Sequence, residues 1–142
     1  MSSNPRVLAV IPAREGSKGI PNKNVLEFAG LPLIAHTLMF AKMCPEISRC
    51  IVSTDSEKIV QVAKEYGGDV PFLRPTELAQ DDTPMWPVLR HALNWIEQDG
   101  TEIYDLLMLL DPTSPAREPA DVTNVVRMME DNPAADGTIC VS

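Results

Sequence analysis

Two stretches, Val7 to Ile11 (VLAVI) and Leu106 to Leu110 (LLMLL), carry no polar side chain. Successive side chains of a strand point to opposite faces, so a strand that is apolar throughout has to be covered on both sides. That is the position of a strand inside a parallel sheet. LLMLL would fit a helix by propensity, but its length and flanking turns favour a central strand.

The segments between these runs have helical periods. Leu33, Ile34, Leu38 and Ala41 recur at helical spacing until Pro45 stops them. Thr54 with Glu57 three residues later fits a capping box, predicting a helix through Ile59, Val62 and Ala63 that ends at Gly67-Gly68. Thr83-Pro84 opens a third helix carrying Val88, Leu89, Ala92, Leu93 and Ile96, closed by Gly100. A fourth is expected from Pro119 to Met129, with Val122, Val125, Val126 and Met129 on one face. Cys50 to Ser53, a short extended piece from Val70 to Leu73 that Pro71 breaks, and Thr138 to Val141 complete the strands. This alternation predicts an α/β fold with a mostly parallel sheet and helices on both faces. Ligands of such sheets bind beyond the carboxyl ends of the strands, so chemistry belongs to the loops after Ile11, Ser53 and Leu110.

With 142 residues, the chain is expected to form a single domain. Its formal charge of -8 argues against nucleic acid or an anionic membrane as partner. An acidic chain that handles a polyanion must concentrate its few cations. The three cysteines, Cys44, Cys50 and Cys140, form no CxxC and read as free thiols of a cytoplasmic protein. No apolar run approaches the length of a membrane helix.

The cations are concentrated after the first strand, in IPAREGSKGIPNKN (residues 11–24), where Arg14, Lys18 and Lys23 fall among two glycines and two prolines. Glycine lets backbone N–H groups approach phosphate oxygens. An arginine fork grips two oxygens, and lysines act as point charges. The spacing fits neither GxxxxGK[ST] nor GxGxxG. The residues alone leave two readings: a phosphate-binding loop, or an exposed basic loop without a ligand.

The same stretch resembles the N-terminal signature of the acylneuraminate (CMP-sialic acid) cytidylyltransferase family. VSTDSEKI (residues 52–59), AKEYGGDVPFLRPTELAQDDT (63–83) and LLDPTSPAR (109–117) resemble the following family blocks, in family order. The resemblance implies a three-layer Rossmann-like nucleotidyltransferase fold, truncated after the fifth strand. It implies transfer of CMP from CTP to a sialic-acid-like sugar, with legionaminic, pseudaminic or ketodeoxy-octonate types as alternatives. An inactive nucleotide-binding module is a further alternative, since family members are longer and their paired metal-binding aspartates and sugar-binding, dimerising part lie downstream. Mg²⁺ is the expected cofactor, and CTP, an acidic sugar and a second copy in a homodimer are the expected partners.

By the same resemblance Ala13 and Arg14 line the nucleotide, Gly16 approaches the phosphates, and Lys18 and Lys23 neutralise them. Lys23 stabilises charge developing at the α-phosphate, giving Arg14, Lys18 and Lys23 as catalytic candidates. Asn24 contacts the nucleotide. Arg74 reaches the cytidine side, or else forms a surface salt bridge. Asp111, Thr113 and Ser114 fall on the substrate side. Asp111 stands where the family commonly has Gln, and an ionised Asp only accepts hydrogen bonds. It reads as a Mg²⁺ ligand, an altered substrate contact or a turn cap. Asp81 and Asp82 read as charges at a helix N-terminus, and Pro87 replaces a frequent family aspartate. His36, His91, Trp86 and Trp95 read as structural. Ser114 lacks the GxSxG context of a nucleophile elbow.

Overall fold

The computed structural model describes residues 6–13, 27–28, 31–79, 84–98, 100, 103–110 and 138–141. Four strands form one parallel sheet: β1 (Val7–Pro12), β4 (Arg49–Ser53), β5 (Leu106–Leu110) and β6 (Thr138–Val141). Their spatial order is β4-β1-β5-β6. A small antiparallel pair, β2 (Glu27–Phe28) and β3 (Leu31–Pro32), stands apart from it. The helices are α1 (Leu33–Lys42), α2 (Glu57–Glu65) and α3 (Met85–Glu97), with a 3₁₀ turn at Thr76–Leu78.

β1 decides the layering. Its residues from Val7 to Ile11 are fully buried, and alternate side chains enter two separate cores. Val7, Ala9 and Ile11 pack with Ile34, Leu38, Ile59 and Ala63 of α1 and α2. Leu8 and Val10 pack with Leu89, Ala92 and Ile96 of α3. LLMLL divides in the same way, Met108 to the first core and Leu107 to the second. The expected sheet with helices on both faces is therefore present.

Backbone chemistry fixes the ends of the layers. α2 closes with Gly67 at φ 79°, donating to the Lys64 carbonyl, while the Gly68 N–H reaches the Ala63 carbonyl at 2.7 Å. This is a Schellman terminus. A Cβ on Gly68 would lie 2.8 Å from the Ala63 carbonyl oxygen, so both glycines are required there. At the amino ends of the strands, Arg6 N donates to the Asp105 carboxylate and Val7 N to the Ser48 hydroxyl.

Four details differ from the sequence expectations. α2 is capped by Ser56, whose hydroxyl accepts from Ile59 N, and not by Thr54. Thr54 accepts from Ser56 N one step earlier and shapes the entry to that cap. Val70 to Leu73 forms no strand; its neighbour Asp69 makes a single parallel bridge to Ile51. The sequence predicts no strand between Ile11 and Leu33, and β2 and β3 lie there. Trp86 is half exposed instead of packed. The helix expected at Pro119 to Met129 lies outside the described residues. Among the described residues, no helix is long and apolar enough to cross a membrane.

Met108 is fully buried in β5 and Ile103 is 66% exposed just before it. Met108→Ala is expected to cost about 2–5 kcal/mol in urea unfolding, and Ile103→Ala less than about 0.5 kcal/mol.

Candidate functional site

The chain leaves β1 for β4 on one side of it and later returns to β5 on the other. The sheet order therefore reverses between β1 and β5, and the crevice beyond the carboxyl ends of these two strands is the binding position the topology creates. Their register pairs Val10 with Leu109, so the chain leaves adjacent strands at Ala13 and at Leu110. The basic segment from Arg14 to Asn24 follows the first in sequence, and the segment beginning at Asp111 follows the second.

The carboxyl end of β4 lies on the other side of β1, and its polar groups are buried. Ser53 and Thr54 are fully buried and Ser56 nearly so. The Ser53 carbonyl accepts two hydrogen bonds. One comes from Ala13 N at 2.9 Å, the first backbone N–H beyond β1. The other comes from the Arg74 guanidinium at 2.6 Å. Arg74 Nε also donates to the Ser53 hydroxyl at 3.0 Å, and its remaining terminal nitrogen to the Leu78 carbonyl at 3.2 Å. Arg74 N donates to the Thr54 carbonyl at 2.7 Å. A planar fork with donors in fixed directions can serve all these acceptors at once.

Of the candidate nucleotide- and substrate-side residues, Ala13 and Arg74 are described, and both converge on Ser53. Ala13 is buried. Arg74 is only 4% exposed, so it is not a surface salt bridge. Arg14, Gly16, Lys18, Lys23, Asn24, Asp81, Asp82, Asp111, Thr113 and Ser114 lie outside the described residues.

Sequence reasoning missed Ser53. Its importance comes from its carbonyl, which has no residue-type signature. It also treated His91 in isolation. The ring of His91 meets Phe72 edge to face at 4.8 Å, and Phe72 also stacks obliquely on Trp95 at 5.5 Å. Its Nδ1 is buried and has no hydrogen-bond partner among the described residues. Loss of solvent, and then the charge of Arg74, hold the His91 pKa below its ordinary 6.5. Away from the crevice, Cys50 sits beside Asp69 and Cys44. Burial, then the Asp69 carboxylate and the neighbouring Cys44, push its thiol up to about 12. Neither Cys44 nor Cys50 is in a disulfide, and a thiol held as far from ionisation as that of Cys50 is a poor nucleophile.

No group of three or more His, Cys, Asp or Glu that could hold a metal occurs among the described residues. The described carboxyl ends offer hydroxyls, carbonyls and a guanidinium.

A family model for cytidylyltransferases matches residues 8–141. The CMP-N,N'-diacetyllegionaminic acid synthase of Legionella pneumophila is 42% identical over 123 residues, covering 87% of this chain and 53% of that protein. The N-acylneuraminate cytidylyltransferase of Escherichia coli is 39% identical over 88% of this chain and 28% of its own length. The pseudaminic acid cytidylyltransferase of Campylobacter jejuni is 38% identical over 76% and 46% respectively. The chain thus spans about half the length of these relatives, or less. Among solved structures, a CMP:2-keto-3-deoxy-manno-octonic acid synthetase complexed with CTP superposes with a TM-score of 0.73 at 26% identity, over 91% of this chain and 49% of that one. A nucleotidyl transferase from Methanothermobacter thermautotroptrophicus shares the fold, with a TM-score of 0.61 at 21% identity, over 86% of this chain and 57% of that one.

A lysine ammonium gathers its donors on one nitrogen and does not reproduce the spread of Nε and the two terminal nitrogens over Ser53 and Leu78. Arg74→Lys is therefore expected to lower the unfolding free energy by about 1.5–3 kcal/mol, the range for hydrogen bonds to a charged group. Urea titration of the two proteins checks it.

Proposed function

The chain belongs to the cytidylyltransferase family, and we propose that it binds CTP in the crevice between β1 and β5 to transfer CMP to an acidic sugar of the sialic, legionaminic or pseudaminic type. The observation that carries this reading is topological. The chain's densest group of cations and glycines follows the one strand from which the sheet reverses direction.

In the proposed reaction a hydroxyl oxygen of the sugar acid attacks the α-phosphorus of CTP. The new bond forms to that phosphorus, the bond to the bridging oxygen of the β-phosphate breaks, and pyrophosphate leaves. The hydroxyl proton passes to solvent or to a base. Negative charge spreads over the phosphoryl oxygens in the transition state, so acceleration comes mainly from positioning and preorganised cations. Arg14 and Lys18 hold the triphosphate. Lys23 stabilises charge at the α-phosphate, while Gly16 permits close backbone approach. Asn24 contacts the nucleotide. Ala13, tied to Ser53, fixes where the loop begins, and Arg74 defines the cytidine side. Asp111, next after β5, with Thr113 and Ser114, faces the sugar. Mg²⁺, with Asp111 as a carboxylate ligand, would offset further triphosphate charge when bound.

The test is to incubate the chain with CTP, Mg²⁺ and a panel of ulosonic acids and follow pyrophosphate release, with CTP binding measured by calorimetry. Turnover with one acid identifies the substrate. CTP binding without turnover limits this polypeptide to the nucleotide step. Lys23→Ala is expected to lower kcat by about 10²-fold, as loss of a transition-state donor does. Absence of CTP binding, with Lys23→Ala behaving like the parent, overturns the reading.

A further inference from the structure

Residues 70–75 form a strap between α3 and β4. At one end Phe72 rests on the rings of His91 and Trp95. Two residues on, Arg74 is locked by its backbone to Thr54 and by its side chain to Ser53 and Leu78. Leu73 between them is half exposed. The direction of the Arg74 fork is therefore set from two sides: by hydrogen bonds at β4 and by ring packing at α3.

His91 is an unexpected residue for the second role. A phenyl ring would pack on Phe72 equally well, without leaving a buried nitrogen unpaired, a state that ordinarily carries a cost. The imidazolium carries an N–H on both ring nitrogens, and an N–H at the buried Nδ1 finds no acceptor among the described residues. Among the described residues, the charge that acts on the ring is that of Arg74. β1 and β5 present aliphatic side chains to α3, and the strap presents Arg74. On α3 itself Arg90 is exposed, and Glu97 accepts from Tyr104 N at the far end of the helix.

We propose that His91 is a positioning residue for the nucleotide site: neutral, it holds Phe72 and leaves Arg74 seated on Ser53; protonated, it sets a like charge against Arg74 and loosens the strap. This rests on the reading of the crevice as a CTP site. The folded state disfavours the protonated ring, so the seated arrangement is complete above the ordinary histidine pKa and is lost as the pH falls through the lower folded value.

The sign of the effect separates this role from a plain electrostatic one. A histidine that acted only as a nearby cation would bind the triphosphate better when protonated. A histidine that acts through Arg74 makes binding worse, and reciprocity then requires bound CTP to lower the His91 pKa further.

The test uses the full chain, isotope-labelled, followed by NMR between about pH 5 and 8, with calorimetric CTP binding over the same range for the parent and His91→Gln. CTP's own phosphate titration is common to both proteins and cancels in their ratio. The expected results are an Arg74 Nε–H resonance that shifts with the His91 titration, and a parent affinity that falls about fivefold more than that of His91→Gln on acidification. The His91 pKa should also drop when CTP is added. The Arg74 titration in the parent needs no variant, so it stands even if His91→Gln folds poorly. An Arg74 resonance indifferent to His91, matching affinity profiles, or a His91 pKa raised by CTP overturns the positioning role while leaving the CTP site intact. Failure of the parent to bind CTP at any pH overturns both.

Discussion

β1 is hydrogen-bonded on both sides and buried on both faces, and the other elements take their places from it. A strand with parallel partners on each side forces the chain to cross over in both directions, and the reversal lies at that strand's flank. The alternation of its side chains then assigns α1 and α2 to one core and α3 to the other. Removing the apolar character of VLAVI would disturb both cores at once. The crevice at its carboxyl end is thus a consequence of how the core is made.

The Ser53 carbonyl transmits this geometry to the site. A carbonyl oxygen has two lone pairs, and here one is used by the loop leaving β1 and the other by the strap carrying Arg74. Two segments far apart in sequence are thereby indexed to one atom at the end of a buried strand. Ser56 capping α2 and Thr54 supporting that cap keep the end of β4 in place. The amino ends are held by a separate set of bonds, through Ser48, Asp105 and the Arg49–Asp69 pair.

Much of this was legible in the sequence, because it depends on side-chain type. Apolar continuity identified β1 and β5, and helical spacing located α1, α2 and α3 to within a turn. The ordered motifs pointed to the family that the comparisons then showed. What escaped depends on backbone atoms or on contacts across the fold. Thr54 and Ser56 are both good caps, and the start of α2 at Glu57 decides between them. Val70 to Leu73 has the composition of a strand, but Pro71 lacks an N–H, and the segment is diverted to carry Phe72 and Arg74. Arg74 read as a ligand contact or a surface ion pair, and its burial under a carbonyl has no local signal. His91 looked structural, and its link to Arg74 exists only through Phe72, nineteen residues earlier.

The central claim is that the fold presents one nucleotide site, at the carboxyl ends of β1, β4 and β5. Backbone amide resonances followed during CTP titration test it most directly. The largest shifts are expected at Ala13, at Ser53 to Ser56, at Arg74 and just beyond Leu110, while Ser48 and Asp105 at the opposite end stay still. Shifts centred on the amino ends of the strands, or spread evenly over the chain, would contradict it.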